Sequence, residues 1–181
     1  ITDATWNDYN LAISEGEIVS PDGLNNGTKI RQTATTKGTV YLSTALGLQT
    51  RSVYVKAGTA NFAFFDAPSS FPGVWFDLQN GTIGTVSTGT ATMEDVGNGW
   101  YRCALTDTYT NSNFAIGFSD ANNAEGGVVN RTGYVFGAQV EAASTPSSLI
   151  PTSGSDVTRA AESFTIPSAN LPWPEPVYVG S

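Results

Sequence analysis

Along most of the chain, apolar and polar residues alternate with the period of two that a half-buried β-strand requires. The clearest run follows Asn98-Gly99, a pair suited to a tight hairpin because a type I′ turn needs positive φ at both central positions. There Tyr101, Cys103 and Leu105 project to one side, and Trp100, Arg102 and Ala104 to the other. Arg51–Lys56 alternates in the same way, with Val53 and Val55 facing a core and Ser52, Tyr54 and Lys56 facing away. In Val74–Gln79, Phe76 and Leu78 read as core and Trp75, Asp77 and Gln79 as outward. Phe114, Ile116 and Phe118 alternate with Ala115 and Gly117. Tyr134, Phe136, Ala138 and Val140 alternate with Val135, Gly137, Gln139 and Glu141, a pattern that puts Gly137 and Gln139 on the non-core side. Ser20-Pro21-Asp22-Gly23, Asn26-Gly27 and Asn80-Gly81 supply further turn signals. About ten short strands punctuated in this way predict an all-β fold, a two-sheet antiparallel β-sandwich of the jelly-roll kind. After Glu141 the texture becomes rich in Ser, Thr and Pro. Ser144–Thr158 is expected to cross the surface in extended form, and 163–181 reads as a linker or the start of a further unit, which leaves 1–162 as the sandwich.

Composition narrows the function. The 181 residues suit one domain, and charged residues make up only 13% against 40% hydrophobic. Sixteen acidic and eight basic residues give a net charge of −8, which argues against nucleic acid as a partner because phosphate binding needs a basic surface. Histidine is absent, so triads that use it and His-ligated metals are excluded. The single cysteine, Cys103, has no intrachain partner and falls on the core side of its strand. No stretch reads as a signal peptide or membrane span, and no membrane insertion is expected.

Several segments together resemble the carbohydrate-binding-module-like jelly-roll domains of tailed-bacteriophage tail fibres and virion proteins. They are Ser52–Lys56, Trp75–Leu78 with Asn80-Gly81-Thr82, Gly97–Cys103, Gly133–Glu141 and, as the longest match, Ser147–Glu162. Two positions depart from the pattern: Leu149 stands where an aromatic is usual, and Glu162 where Asp is usual. The resemblance implies a non-catalytic domain that binds sugars, sometimes with a structural Ca²⁺, located in a virion tail or outside the cell.

The strand faces suggest where a sugar would lie. If the strands share a sheet, one non-core face collects Tyr54, Lys56, Trp75, Asp77, Trp100, Arg102 and Gln139, with Ala115, Gly117 and Gly137 as small neighbours. Rings stack on the C–H face of a pyranose while amide, guanidinium and carboxylate groups bond its hydroxyls, so a trough of this composition suits a polysaccharide or cell-surface glycan. Plainer readings stand beside it: the tryptophans packed under loops, Asp77 and Arg102 as a cross-strand ion pair, and Tyr54 and Lys56 as solvated strand residues. For a cation, Glu15, Glu17 and Asp22 near the chain entry could meet Glu141, since first and last strands often adjoin in jelly rolls and Ca²⁺ takes carboxylate and carbonyl oxygens; the plainer reading, favoured by the lack of a compact acidic loop, is that these carboxylates are solvated. Two other functions remain open. The tryptophan face can serve as a subunit interface in a homotrimeric fibre. Alternatively, Tyr54, Lys56, Arg102 and Gln139 sketch a polysaccharide lyase.

Overall fold

Twelve strands carry the alternation into two antiparallel sheets of six in the computed structural model, which describes residues 6–67, 72–110, 113–125 and 128–152. In chain order they are β1 (Asn7–Tyr9), β2 (Leu11–Ile18), β3 (Gly27–Gln32), β4 (Thr39–Ser43), β5 (Gly47–Ala57), β6 (Phe62–Phe65), β7 (Val74–Asp77), β8 (Thr82–Val86), β9 (Thr90–Gly97), β10 (Trp100–Tyr109), β11 (Asn113–Ser119) and β12 (Thr132–Glu141). The first sheet runs β1-β4-β11-β6-β7-β8 and the second β2-β3-β12-β5-β10-β9. The pairings nest: β3 with β12, β4 with β11, β5 with β10, β6 with β7. A hairpin folded on itself and wrapped into a barrel pairs its strands in this way, so the fold is a jelly roll. At each flank the chain steps from one sheet to the other, from β1 to β2 and from β8 to β9. The expected boundary at 162 and the linker at 163–181 lie outside the described residues.

The core is made by the apolar member of each alternating pair. Val53, Val55, Cys103, Leu105 and Val135 of the second sheet meet Phe65, Phe76, Phe114 and Ile116 of the first, all fully buried. Phe65 stacks edge-on to Phe114 at 5.6 Å and tilts against Phe76 at 4.9 Å, and each ring buried in this way contributes about 1.5–3 kcal/mol. One cation lies among these residues. The guanidinium of Arg51 sits 3.3 Å over the Tyr109 ring and donates to the Asn113 carbonyl at 2.5 Å, Thr44 Oγ1 at 2.8 Å and Gln49 Oε1 at 3.2 Å.

The turn after β9 has φ of 54° at Asn98 and 74° at Gly99, the positive pair that a type I′ turn demands. Asn26-Gly27 is different. Gly27 has no positive φ; a Cβ there would lie 2.5 Å from the Ile18 side chain, so close packing rather than a turn requires the glycine.

Candidate functional site

Face assignment by alternation holds in β5, β7, β10 and β11 but fails in the first half of β12, where Val135 rather than Tyr134 and Phe136 packs inward, and the expected grouping on one face is corrected by the topology. Trp75 and Asp77 stand on β7 of the first sheet; Tyr54, Lys56, Trp100, Arg102 and Gln139 stand on β5, β10 and β12 of the second. The expected Asp77–Arg102 pair is therefore not formed. Ala115 and Gly117 share the first sheet with Trp75 but are separated from it by β6, and Gly137 belongs to the second. Both indoles are buried. Trp75 is 2% exposed, tilts against Phe64 and donates Nε1–H to the Ala124 carbonyl at 3.0 Å; Trp100 is 1% exposed and donates to the Val19 carbonyl at 3.1 Å. Asp77 closes the β7–β8 turn, accepting from the backbone N–H groups of Gln79 and Asn80 and from the Asn80 amide. Burial would raise its pKa, but these hydrogen bonds outweigh it and hold the carboxyl below its usual range.

The outer face of the second sheet does bring five of the expected residues together. Arg102 lies opposite Tyr54 on β5, with the guanidinium 5.5 Å from the ring, and Tyr54 lies opposite Phe136, with ring centroids 5.9 Å apart. Simple alternation places Phe136 with the core. A bulge between Phe136 and Gln139, with Gly137 at φ 57°, inserts a residue and reverses the parity. Phe136 and Gln139 thus both face outward while Val135, Ala138 and Val140 pack inward.

A short strap from the same chain crosses this face. Arg102 Nη2 donates to the Ser147 carbonyl. Gln139 Oε1 accepts from the Ile150 N–H at 2.8 Å, and its amide nitrogen lies 3.4 Å from Ser147 Oγ and 3.5 Å from the Ser148 carbonyl. Glu141 accepts from Ser147 Oγ at 2.5 Å and from Ser147 N–H at 3.1 Å. Burial pushes the Glu141 pKa up, but the Ser147 and Gln139 hydrogen bonds and the charge of Arg102 bring it below the usual range. Leu149 and the Tyr54 ring close over Gly137, within 2.9 and 3.3 Å of where a Cβ would stand. Lys56 Nζ is held by the Asn98 carbonyl at 2.5 Å. The trough read from the sequence is thus filled by Ser147–Ile150, and its polar groups are engaged by main chain.

What stays open lies beside the strap. A cleft of about 370 Å³ is lined by Glu15, Gly16, Asn25, Asn26, Thr28, Phe136 and Gly137. It is bordered by the bulges of two strands that flank β3: Gly16 at φ 63° in β2 and Gly137 in β12. The backbone leaves regular pairing at both, and neither glycine adds a side chain to the concavity. Asn25 Nδ2 donates to the Gly16 carbonyl at 2.6 Å, which ties the β2–β3 loop to the bulge. Ser20, Asp22 and Asn26 brace the same loop through hydrogen bonds to one another. Ser20, Asn26 and Leu24 bonds hold the Asp22 carboxyl below its usual range. The Asn25 amide oxygen and the Glu15 carboxylate accept no hydrogen bond from the described residues. Sequence reasoning missed Asn25 and Phe136 as site residues; the available signal was a glycine inside each alternating run, which marks a bulge.

The four expected cation ligands do not converge. β3 separates β2, which carries Glu15 and Glu17, from β12, which carries Glu141. Asp22 and Glu141 are occupied by the partners just described, and no group of three or more carboxylate or thiol side chains that could hold a metal occurs among the described residues. Of the two loop aromatics that could rim a site, Phe71 lies outside the described residues and Tyr109 is buried beneath Arg51, the packing that the sequence favours for it. No protein-family model and no curated protein matches the chain.

Proposed function

We propose that the chain is a non-catalytic carbohydrate-binding module whose ligand occupies the cleft between the β2 and β12 bulges. The observation that carries this reading is the lining itself: an aromatic ring (Phe136), a carboxylate (Glu15) and an amide (Asn25) around a concavity bordered by glycines. Such a set offers a stacking surface and planar hydrogen-bonding groups to a sugar ring. The engagement of Arg102, Gln139 and Lys56 with main chain supports binding over lyase chemistry, which needs those groups free. The resemblance of Gly97–Cys103, Gly133–Glu141 and Ser147–Glu162 to jelly-roll domains of phage tail proteins favours a host-surface polysaccharide as the target and a virion or extracellular setting.

Calorimetric titration with oligosaccharides of defined composition tests the reading. Binding is expected in the unaltered protein and is expected to weaken at least several-fold in Asn25→Ala and in Phe136→Ala. Thermal melting of each variant separates loss of the site from loss of the fold. Absence of binding to every oligosaccharide, or undiminished binding in folded variants of both kinds, overturns it.

A further inference from the structure

The charge around the cleft narrows the sugar class, on the premise that the cleft is the glycan site. Among the described residues, Glu15 contributes a carboxylate without a hydrogen-bond or ion-pair partner, and no lysine or arginine lines the concavity. Six of the seven described cations are engaged elsewhere, and the seventh, Lys29, adjoins the lining residue Thr28 without itself lining the cleft. Arg51 is buried over Tyr109, Arg102 donates to the strap, Lys56 is held at the Asn98 turn, Arg131 pairs with Asp120 and Arg31 donates to Asn130. Lys37 feels the charges of Asp66 and Glu125. Lys29 lies on β3 opposite Ser14 and Tyr134 and does not line the cleft. A uronate or sulfated sugar entering here would meet a like charge with no described lysine or arginine in the lining to offset it, in a protein whose net charge is already −8.

We infer that the cleft selects a sugar unit bearing a free amine, a hexosamine, whose ammonium group pairs with Glu15 while its ring face packs on Phe136. The ammonium answers the unpaired carboxylate by a charge-assisted hydrogen bond. The aromatic face also favours a cation over an anion, because the quadrupole of the ring is negative above its plane.

The test compares three tetrasaccharides by calorimetry: glucosamine with free amines, its fully N-acetylated form and a galacturonate of the same length. The free-amine oligomer is expected to bind about fivefold more tightly than the acetylated one, as a surface-accessible ion pair allows, and the galacturonate most weakly of the three. In Glu15→Gln the ratio between amine and acetylated oligomers is expected to collapse toward one. Raising the pH until the amine loses its proton is expected to remove the same preference without any variant. Equal affinity for the amine and acetylated forms, a preference that survives Glu15→Gln, or tightest binding of the galacturonate overturns the inference while leaving the glycan site standing. Failure of all three oligomers to bind overturns this inference, and the glycan reading falls with it only if the wider set of oligosaccharides also fails to bind.

Discussion

At the scale of single residues, the consequential ones are those whose burial disagrees with their chemistry. Asp66, one residue past β6, is only 7% exposed, and one of its carboxyl oxygens has no hydrogen-bond partner. Burial raises its pKa from 3.8 to about 8; the opposing charges of Lys37 and Arg51 only partly offset this, and Glu125 adds to it. The folded protein therefore keeps this proton over a range in which the unfolded chain has released it. The resulting stabilisation is complete below about pH 4 and disappears as pH rises through about 8. Melting temperatures measured between pH 5 and 9 should fall with pH in the unaltered protein, and Asp66→Asn should flatten that slope. A slope unchanged by the substitution would show that another group is responsible. Gly117 makes a second case. A Cβ there would come within 2.2 Å of the Phe64 ring and 2.7 Å of the Gly38 carbonyl, and the ring itself is fully buried. Gly117→Ala is thus expected to cost about 1–3 kcal/mol through overpacking, read as a lowered urea midpoint with unchanged slope.

Among the elements, the strap has the largest effect on the site, because it decides which groups of the second sheet remain free. Ser147–Ile150 is held by side chains from two different strands, Arg102 on β10 and Gln139 and Glu141 on β12. Removing the guanidinium takes away a charge-assisted bond and its contact with Tyr54, and leaves the Ser147 carbonyl without that donor. Arg102→Ala should lower stability by about 1.5–3 kcal/mol, and should make the segment from 142 to 150 the first point of proteolytic cleavage. Leu149→Ala should loosen the same segment with a smaller loss, since it opens the cover over Gly137 and keeps the hydrogen bonds. If both variants resist protease as well as the unaltered chain, the strap does not depend on these contacts. Composition foretold that the Ser/Thr/Pro-rich stretch would run over the surface, as its described part, 144–152, does, because such residues form neither core nor regular pairing. Where it lands was not legible. The same Arg102 and Gln139 that look like sugar ligands along a strand are equally good hydrogen-bond partners for a peptide segment, and only the fold brings Ser147 to them.

The whole molecule shows the same division between what is local and what is not. Period-two alternation is a property of each strand, so the inward placement of Val53, Val55, Phe76, Cys103, Leu105 and Ile116 was readable from the chain. Membership of a sheet depends on partners far away in sequence: β3 waits for β12, and β4 for β11. Alternation carries no trace of that, which is why it assigns Trp75 and Trp100 to one face although they belong to different sheets. The parity reversal at Gly137 was hidden for a related reason, since one inserted residue exchanges the two faces for the rest of the strand. Nested, long-range pairing also implies cooperative unfolding, because no sheet keeps its central strands once β12 or β11 leaves. Cys103 provides the measurement. It lies on β10 between β5 and β9, is fully buried, and burial pushes its thiol pKa well above the ordinary value. In the native protein it should be inert to a thiol reagent except through opening of the sandwich. Under conditions in which reclosing outpaces labelling, the rate should depend on denaturant with the slope of global unfolding, and Gly117→Ala, in the opposite sheet, should accelerate it by the factor that corresponds to its loss of stability. Labelling insensitive to denaturant at low concentration would instead reveal that β9 opens separately from β10, so that the second sheet unfolds from its edge.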